Sequence, residues 1–484
     1  MLIRQTLAYL PAQLLSPLMQ FVAAILLTHA LGAADYGLTM LIFASQELVF
    51  LVCLSWWTTF FMRYGVRLGV DADPRALAGT ESAVLAVSSL AQVAMTLAVI
   101  VITEPGVSWP FYVGACLFTV TRSHLGFLSE RARRQAAIGA YSLVQIVAPA
   151  GALALTAGLM ALGRVTPEQV LLVFALMQAV VGWSVAWRLG LLVRPHRPDR
   201  AVLRAAAAFG LPVVVSNLLS WLGGNGIRFV VHHGAGATAL GLMSVGWGLA
   251  TRLSGVAAMV VAAAAYPLAV KAMEAGDAAG AKRQLSNNSA LLLALLAPAA
   301  FGLWALCQPF TELLVAQEYH AATIAVLPWA LLGASIRNLR LHGWDQLYLL
   351  CEAPRAMVVL DAIEAALTVA AAALGLWLGG LVGAVAGTSL AAVVVALGDW
   401  AYLRHRFGLQ APFSVYGRVL MAAALMFGAF AAAGQAGWRV RADWVSLGTG
   451  ALAGAGVYTL ALALLFPRET AAVAAWMRRR LQPA

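Results

Sequence analysis

Charge is scarce in this sequence: only 11% of its 484 residues are Asp, Glu, Lys or Arg, against roughly a quarter in a soluble domain. So few charged groups cannot cover a chain of this length with a water-facing surface, which excludes an ordinary soluble fold. Cysteine is rare as well. Cys53, Cys116, Cys307 and Cys351 are scattered in or beside apolar runs, with no CxxC pair, which argues against a disulfide framework or a thiolate metal site. No loop is long enough for a soluble catalytic or nucleotide-binding domain. No glycine-rich loop ending in Lys-Ser or Lys-Thr is present, so ATP is not expected to drive the chain directly. Arg4 leads into an apolar stretch too long for a signal h-region, with no small-residue cleavage motif before Leu31, and no cleavable signal peptide is expected.

What the chain has is apolar length. Hydrophobic residues make up 62% of it and the mean hydropathy is +0.85. Runs close to the ~20 residues needed to cross a bilayer recur from end to end. Breaks at proline, glycine and charge place fourteen helices near 7–31, 36–61, 81–103, 110–128, 138–162, 168–190, 206–231, 239–266, 286–306, 322–349, 357–378, 380–402, 416–434 and 444–466. An even count puts both termini on one side. Of the 31 basic residues, 23 fall in one set of loops and tails and three, Arg164, Arg439 and Arg441, in the other. This is the positive-inside bias, so both termini are expected in the cytoplasm. The net charge of +11 therefore reflects topology, and no nucleic-acid partner is expected. Trp109, Trp400, Trp438 and Trp444 suit the interfacial aromatic belt. The basic tail Ala471–Arg480, with Trp476, reads either as a positive-inside anchor or as a short interfacial helix.

Two stretches about 200 residues apart resemble one another. Ala8-Tyr9-Leu10-Pro11 matches Phe209-Gly210-Leu211-Pro212, and the loop Gly32-Ala-Ala-Asp-Tyr-Gly-Leu38 matches Gly236-Ala-Thr-Ala-Leu-Gly-Leu242. The basic linker Arg188–Arg204 falls between them. The expected organisation is an N-terminal six-helix lobe with its basic linker over 1–200 and a second six-helix lobe over 201–410. Two extra helices and a basic tail would follow over 411–484. Lobes that start on the same side would relate by an axis along the membrane normal.

Charges inside apolar helices are costly and usually serve a function or a partner. Arg122, Arg228, Arg252, Arg337 and Arg340 fall within the expected spans, and no lysine does. A guanidinium is a planar fork of donors that stays charged, which suits phosphate better than proton traffic. On the seventh helix, Asn217, Trp221, Asn225, Arg228 and His232 are spaced to share one face. Ser16 and Gln20 are their repeat-equivalents on the first helix, with Gln13 on the same face. Such stripes line a hydrated cavity or hydrogen-bond neighbouring helices. Arg337, Arg340 and Trp344 share a face that α-helical spacing keeps away from Asp345, giving an anion site or a snorkelling pair. Arg252 sits on a face with Gly248 and Gly255, where close helix packing competes with a binding role. Arg122 is open between cavity and structural pairing. Glu47 is the deepest carboxylate, a candidate for ion coupling or the partner of a buried arginine. Asp361, Glu364 and Asp399 complete the acidic set. His232 and His233 fall near the outer surface, and neither a metal nor any cofactor is expected.

Several segments carry a family resemblance. Leu31-Gly-Ala-Ala-Asp-Tyr-Gly37 resembles the LGxxxYG segment of bacterial polysaccharide exporters in the MOP superfamily, and Gln317-Glu-Tyr-His-Ala321 resembles their approach to the tenth helix. Gly380-Leu-Val-Gly-Ala-Val-Ala-Gly387, followed by Tyr402-Leu-Arg-His-Arg-Phe-Gly408, is similar to their GLxGAxxG helix with a basic exit. That group includes Wzx-type flippases, which turn polyprenyl-pyrophosphate-linked oligosaccharides across the inner membrane, and lipid II flippases. The resemblance implies two six-helix lobes around a central cavity, alternating access, and arginines such as Arg228, Arg252, Arg337 and Arg340 receiving the pyrophosphate. It implies a lipid-linked glycan and membrane lipids as partners, with polysaccharide polymerase machinery alongside, in a bacterial inner membrane. The first span carries no lysine or arginine, which departs from lipid II flippases. An ion-coupled drug or metabolite antiporter of the same superfamily is the alternative; it would favour acidic cavity residues. A membrane polymerase or ligase would need a long outer loop, so no enzyme is expected, and a lipid-binding scaffold is the remaining reading.

Overall fold

A bilayer interior offers no hydrogen bonds to the backbone, so a spanning chain must satisfy its own amides within helices or a closed barrel. The computed structural model describes the backbone of residues 2–71, 74–191 and 197–470, and side chains within these except at 2–14, 65–71, 74–76, 263 and 264. The tail Ala471–Arg480, the middle of the linker and the side chains of Arg4 and Gln13 lie outside the described residues. Those residues form helices α1 (Leu2–Ala30), α2 (Ala33–Cys53), α3 (Ser55–Asp71), α4 (Pro74–Thr103), α5 (Trp109–Arg134), α6 (Ile138–Ser142), α7 (Ala148–Leu162) and α8 (Pro167–Arg188). There follow α9 (Arg200–Glu274), α10 (Ala278–Ala305), α11 (Cys307–Leu314), α12 (His320–Leu339), α13 (Gln346–Leu350), α14 (Pro354–Phe407), α15 (Phe413–Gln435) and α16 (Trp444–Leu465). No strand occurs among the described residues.

The protein is all-α and multi-pass. Ten helical segments among the described residues are long and apolar enough to cross a membrane. Two of them are double: α9 has 75 residues and breaks at Gly236, where φ is 82° and ψ 177°, and α14 has 54 and breaks at Gly379 and Gly380. All fourteen segments expected from hydropathy lie on helices. The second of them, 36–61, is not one rod. It bends at Leu54, where φ is −132°. Side-chain donors explain the bend: the carbonyl of Cys53 accepts from Trp56 Nε1 at 3.1 Å and from Ser88 Oγ at 2.8 Å, and such insertions kink helices. Two further irregularities are π-helical turns, Leu143–Val147 between α6 and α7 and Arg340–Trp344 between α12 and α13.

The chain forms two compact units: Met1–Val245 with Val358–Gly387, and Gly246–Met357 with Thr388–Ala484. Lipid is as apolar as a leucine side chain, so packing and hydrogen bonds rather than hydrophobicity hold such helices together. In the first unit, Trp57 is fully buried and packs among Phe60, Phe61, Leu125, Leu128 and Val185. A closer approach joins the start of α2 to the part of α9 beyond Gly236. A Cβ on Gly37 would overlap the carbonyl of Ala237, and a Cβ on Gly241 would overlap the carbonyl of Ala33. The contact is reciprocal between positions that match in the sequence repeat, as a local two-fold relation requires. Only glycine permits backbones so near each other.

In the second unit α10 packs on α15, which packs on α16, with Ser289 Oγ 2.6 Å from the Tyr416 hydroxyl and Tyr458 donating to the carbonyl of Ala294 at 2.9 Å. Asp399, buried in α14, accepts from Trp344 Nε1 at 2.7 Å and from the Tyr348 hydroxyl at 2.6 Å. Both lone-pair sets of this carboxylate are thereby used, which is what keeps a buried acid tolerable.

Candidate functional site

The bend between α2 and α3 and the exposed face of α5 enclose a cavity of about 740 Å³ in the first unit. On α5, Arg122, Gly126, Ser129, Glu130 and Arg133 line it; their spacing of four, three, one and three residues is one helical face. Gln46 and Glu47 come from α2, Thr58 and Thr59 from α3, Gln145 from the first π turn, and Asn217 and Trp221 from α9. Two side-chain bonds fix the walls. Gln46 Nε2 donates to Ser123 Oγ at 3.2 Å, tying α2 to α5, and Gln145 Nε2 donates to Ser129 Oγ at 2.9 Å.

The charges in this cavity differ in how they are satisfied. Arg133 is paired with Glu130 at 2.5 Å. Glu47 accepts from Trp221 Nε1 at 3.3 Å and faces the cavity with its side chain exposed. Arg122 is exposed to the cavity too, although it stands in the middle of a helix. Among the described residues it has no ion-pair partner; Glu47 supplies the opposing charge that acts on it across the cavity. A permanently charged guanidinium, held in a polar recess with its donors open, is suited to receive an anionic oxygen.

The sequence-nominated residues divide accordingly. Arg122, Glu47, Asn217 and Trp221 are brought together here. Asn225 caps the same helical face by donating to the Trp221 carbonyl at 3.4 Å; Arg228, half-buried one turn on, does not line this cavity. Gln20 is exposed on α1 and does not line it either. His232 is buried against Thr103 and Glu104, its Nε2 3.4 Å from each. Arg252, Arg337 and Arg340 belong to the second unit. There Arg252 folds back over Gly248, where an added Cβ would lie 2.5 Å from its Nη1, and Arg337 is half-buried.

Arg340 departs from the helical expectation. It is 1% exposed and forms an ion pair of 2.8 Å with Asp345, which α-helical spacing directs elsewhere. The cause is the π turn at Arg340–Trp344, in which the amide of Asp345 bonds to the carbonyl of Arg340 at 3.1 Å. An i→i+5 turn carries five residues where an α-turn carries four, and so returns Asp345 to the face of Arg340. Periodicity also missed Arg133, Glu130, Gln46 and Gln145. Arg133 reads from sequence as a loop cation, yet its eleven-residue spacing from Arg122 along one α5 face was a usable signal.

A membrane-spanning helical bundle with a charged internal cavity is a known architecture, and solved structures identify it. The fold superimposes on the lipid II flippase MurJ in an inward closed conformation with a TM-score of 0.74, at 12% identity over 95% of this chain and 98% of that one. An inward-facing multidrug resistance MATE family transporter of the MOP superfamily matches with a TM-score of 0.60, 15% identity, and coverage of 81% and 94%. The MATE multidrug transporter DinF-BH gives 0.54 at 14% identity, covering 84% and 95%. The fold is therefore the one these transporters share. Residues 82–324, half of the chain, match the polysaccharide biosynthesis protein family, and the chain belongs to that family. Comparison with curated proteins gives no match.

Proposed function

We propose that this protein translocates a polyprenyl-pyrophosphate-linked oligosaccharide across the bacterial inner membrane by alternating access. The observation that carries the proposal is Arg122, an arginine without an ion-pair partner among the described residues, exposed inside a polar cavity of a polysaccharide-biosynthesis family member. The pyrophosphate is drawn to Arg122 while Gln46, Gln145 and Asn217 offer hydrogen bonds to the first sugars, and the lipid tail stays in the bilayer. Arg228, Arg252 and Arg337 serve as further stations for the phosphates along the path; Arg340, held by Asp345, positions its helix. Six-helix lobes over 1–200 and 201–410 move against each other, with 411–484 as an added pair. The reciprocal Gly37–Gly241 contact supports that repeat. Both termini lie in the cytoplasm, by the positive-inside bias. The protein acts as a transporter rather than an enzyme, supplying polysaccharide polymerase machinery with its precursor.

A second reading, an ion-coupled drug or metabolite antiporter, is favoured by one feature, the exposed carboxylate of Glu47 beside Arg122. Polysaccharide display in a deletion strain separates the two. The wild-type gene restores display, and Arg122→Ala at normal membrane level traps lipid-linked glycan on the cytoplasmic leaflet. Normal display from Arg122→Ala removes the anion site. A deletion strain that displays normally removes the flippase reading altogether.

A further inference from the structure

The face of α5 opposite the Arg122 cavity lines a second cleft, of about 660 Å³, shared with α4 and α8. No residue lines both. At the end nearest the basic loops the cleft holds Glu81, Arg131 and Arg134; further in, Leu85, Leu125, Leu128 and Trp183 line it beside His124, which is bonded to Ser89, and the mutually bonded Thr121 and Gln178. From Arg134 to Thr121 is about 20 Å along the helix at 1.5 Å per residue. That is the depth of one leaflet, half of a ~30 Å hydrocarbon core, with a headgroup layer above it.

The polar end is built around two cations. The guanidinium carbons of Arg131 and Arg134 lie 4.1 and 4.0 Å from the ring centroid of Phe61, a residue that is 2% exposed. The ring holds both in place but cannot accept their hydrogen bonds. Arg131 reaches one carboxylate, Glu81, at 3.4 Å. The Nε and Nη1 atoms of both arginines are buried and have no hydrogen-bond partner among the described residues. Buried donors left unmet are costly, and two neighbouring cations repel. An anion at the mouth of the cleft offsets that repulsion. Two arginines against one glutamate leave a single positive charge, which matches a phosphodiester and undercompensates a pyrophosphate.

We propose that this cleft between α4, α5 and α8 is a binding site for one anionic phospholipid, its phosphodiester held by Arg131 and Arg134 and an acyl chain laid along Leu85, Leu125, Leu128 and Trp183. The site is independent of the cargo and faces away from the translocation cavity. Basic residues at the membrane surface favour anionic lipid in general; here two cations held on one ring and the cleft below them specify one molecule.

Native mass spectrometry of the full-length protein, released from detergent with phosphatidylglycerol or phosphatidylethanolamine added, tests this. Wild type retains one phosphatidylglycerol at least fivefold more than phosphatidylethanolamine. Arg134→Gln, which leaves the Arg131–Glu81 pair intact, abolishes that preference. Gly182→Leu narrows the cleft without touching charge, since a Cβ there meets only Leu125 and Leu128 in ordinary contact at 3.8 and 3.6 Å, and it lowers retention of both lipids. Each variant is compared at equal monodispersity in size exclusion. Equal retention of phosphatidylglycerol by wild type and both variants overturns the site. So does displacement of phosphatidylglycerol from wild type by equimolar polyprenyl pyrophosphate, which would make the cleft a substrate site.

Discussion

Arg122 and Arg340 carry the same charge in the same kind of apolar helix, and their surroundings differ: Arg122 faces a cavity. Arg340 is enclosed with Asp345 at 2.8 Å. Removing one partner of such a pair strands the other charge, at about 3–5 kcal/mol, whereas replacing both by apolar residues is close to neutral. Arg340→Met therefore lowers the thermal unfolding midpoint in detergent well below wild type, and Arg340→Met with Asp345→Leu recovers most of the loss. Arg122→Ala, which empties a cavity position, leaves the midpoint unchanged while stopping glycan display. Asp399 makes a third case. Asp399→Ala strands the Trp344 and Tyr348 donors, at about 1–3 kcal/mol for each unmet group, and the same unfolding assay reads a drop. The charged residue itself was legible in the sequence at all three places. Which arginine is paired was not, because pairing depends on a π turn that helical periodicity does not foresee.

At the scale of elements, breaks and close approaches decide the geometry. The ends of α9 and α14 halves fall at glycines that interrupt long apolar runs, and these were legible. The matched loops beginning at Gly32 and Gly236 were legible as a repeat as well. Their meaning was not, since the reciprocal contact of Gly37 with Ala237 and of Gly241 with Ala33 is made across two chain segments that are far apart in sequence. Gly37→Val or Gly241→Val forces the two backbones apart and lowers the unfolding midpoint. The double variant costs less than the sum of the two, because both act on one contact and such neighbours are not additive. Additive losses in that cycle would mean the two glycines matter separately. The bend at Leu54 belongs to this scale also: a continuous apolar run over 36–61 hides a kink made by Trp56 and Ser88, and the kink is what turns Thr58 and Thr59 toward the α5 face.

For the molecule as a whole, the membrane is the dominant environment, and on the proposed flippase reading the cargo's charge is the lever. An anion moving outward gains ~2.3 kcal/mol per charge for each 100 mV of membrane potential. Collapsing the potential with valinomycin and potassium is thus expected to slow glycan translocation in vesicles, while dissipating only the pH gradient leaves it nearly unchanged. The reverse result favours the antiporter reading and a coupling role for Glu47. Hydropathy alone determined the class of this protein, the approximate extent of its spans and the glycine breaks within α9 and α14, because the bilayer imposes those on each segment separately through local composition. Tertiary structure decided that Arg122 and Glu47 share a cavity with Arg133, that Arg340 is enclosed, and that Arg131 and Arg134 converge on Phe61. Those outcomes depend on which faces of neighbouring helices meet, and no single segment carries that information.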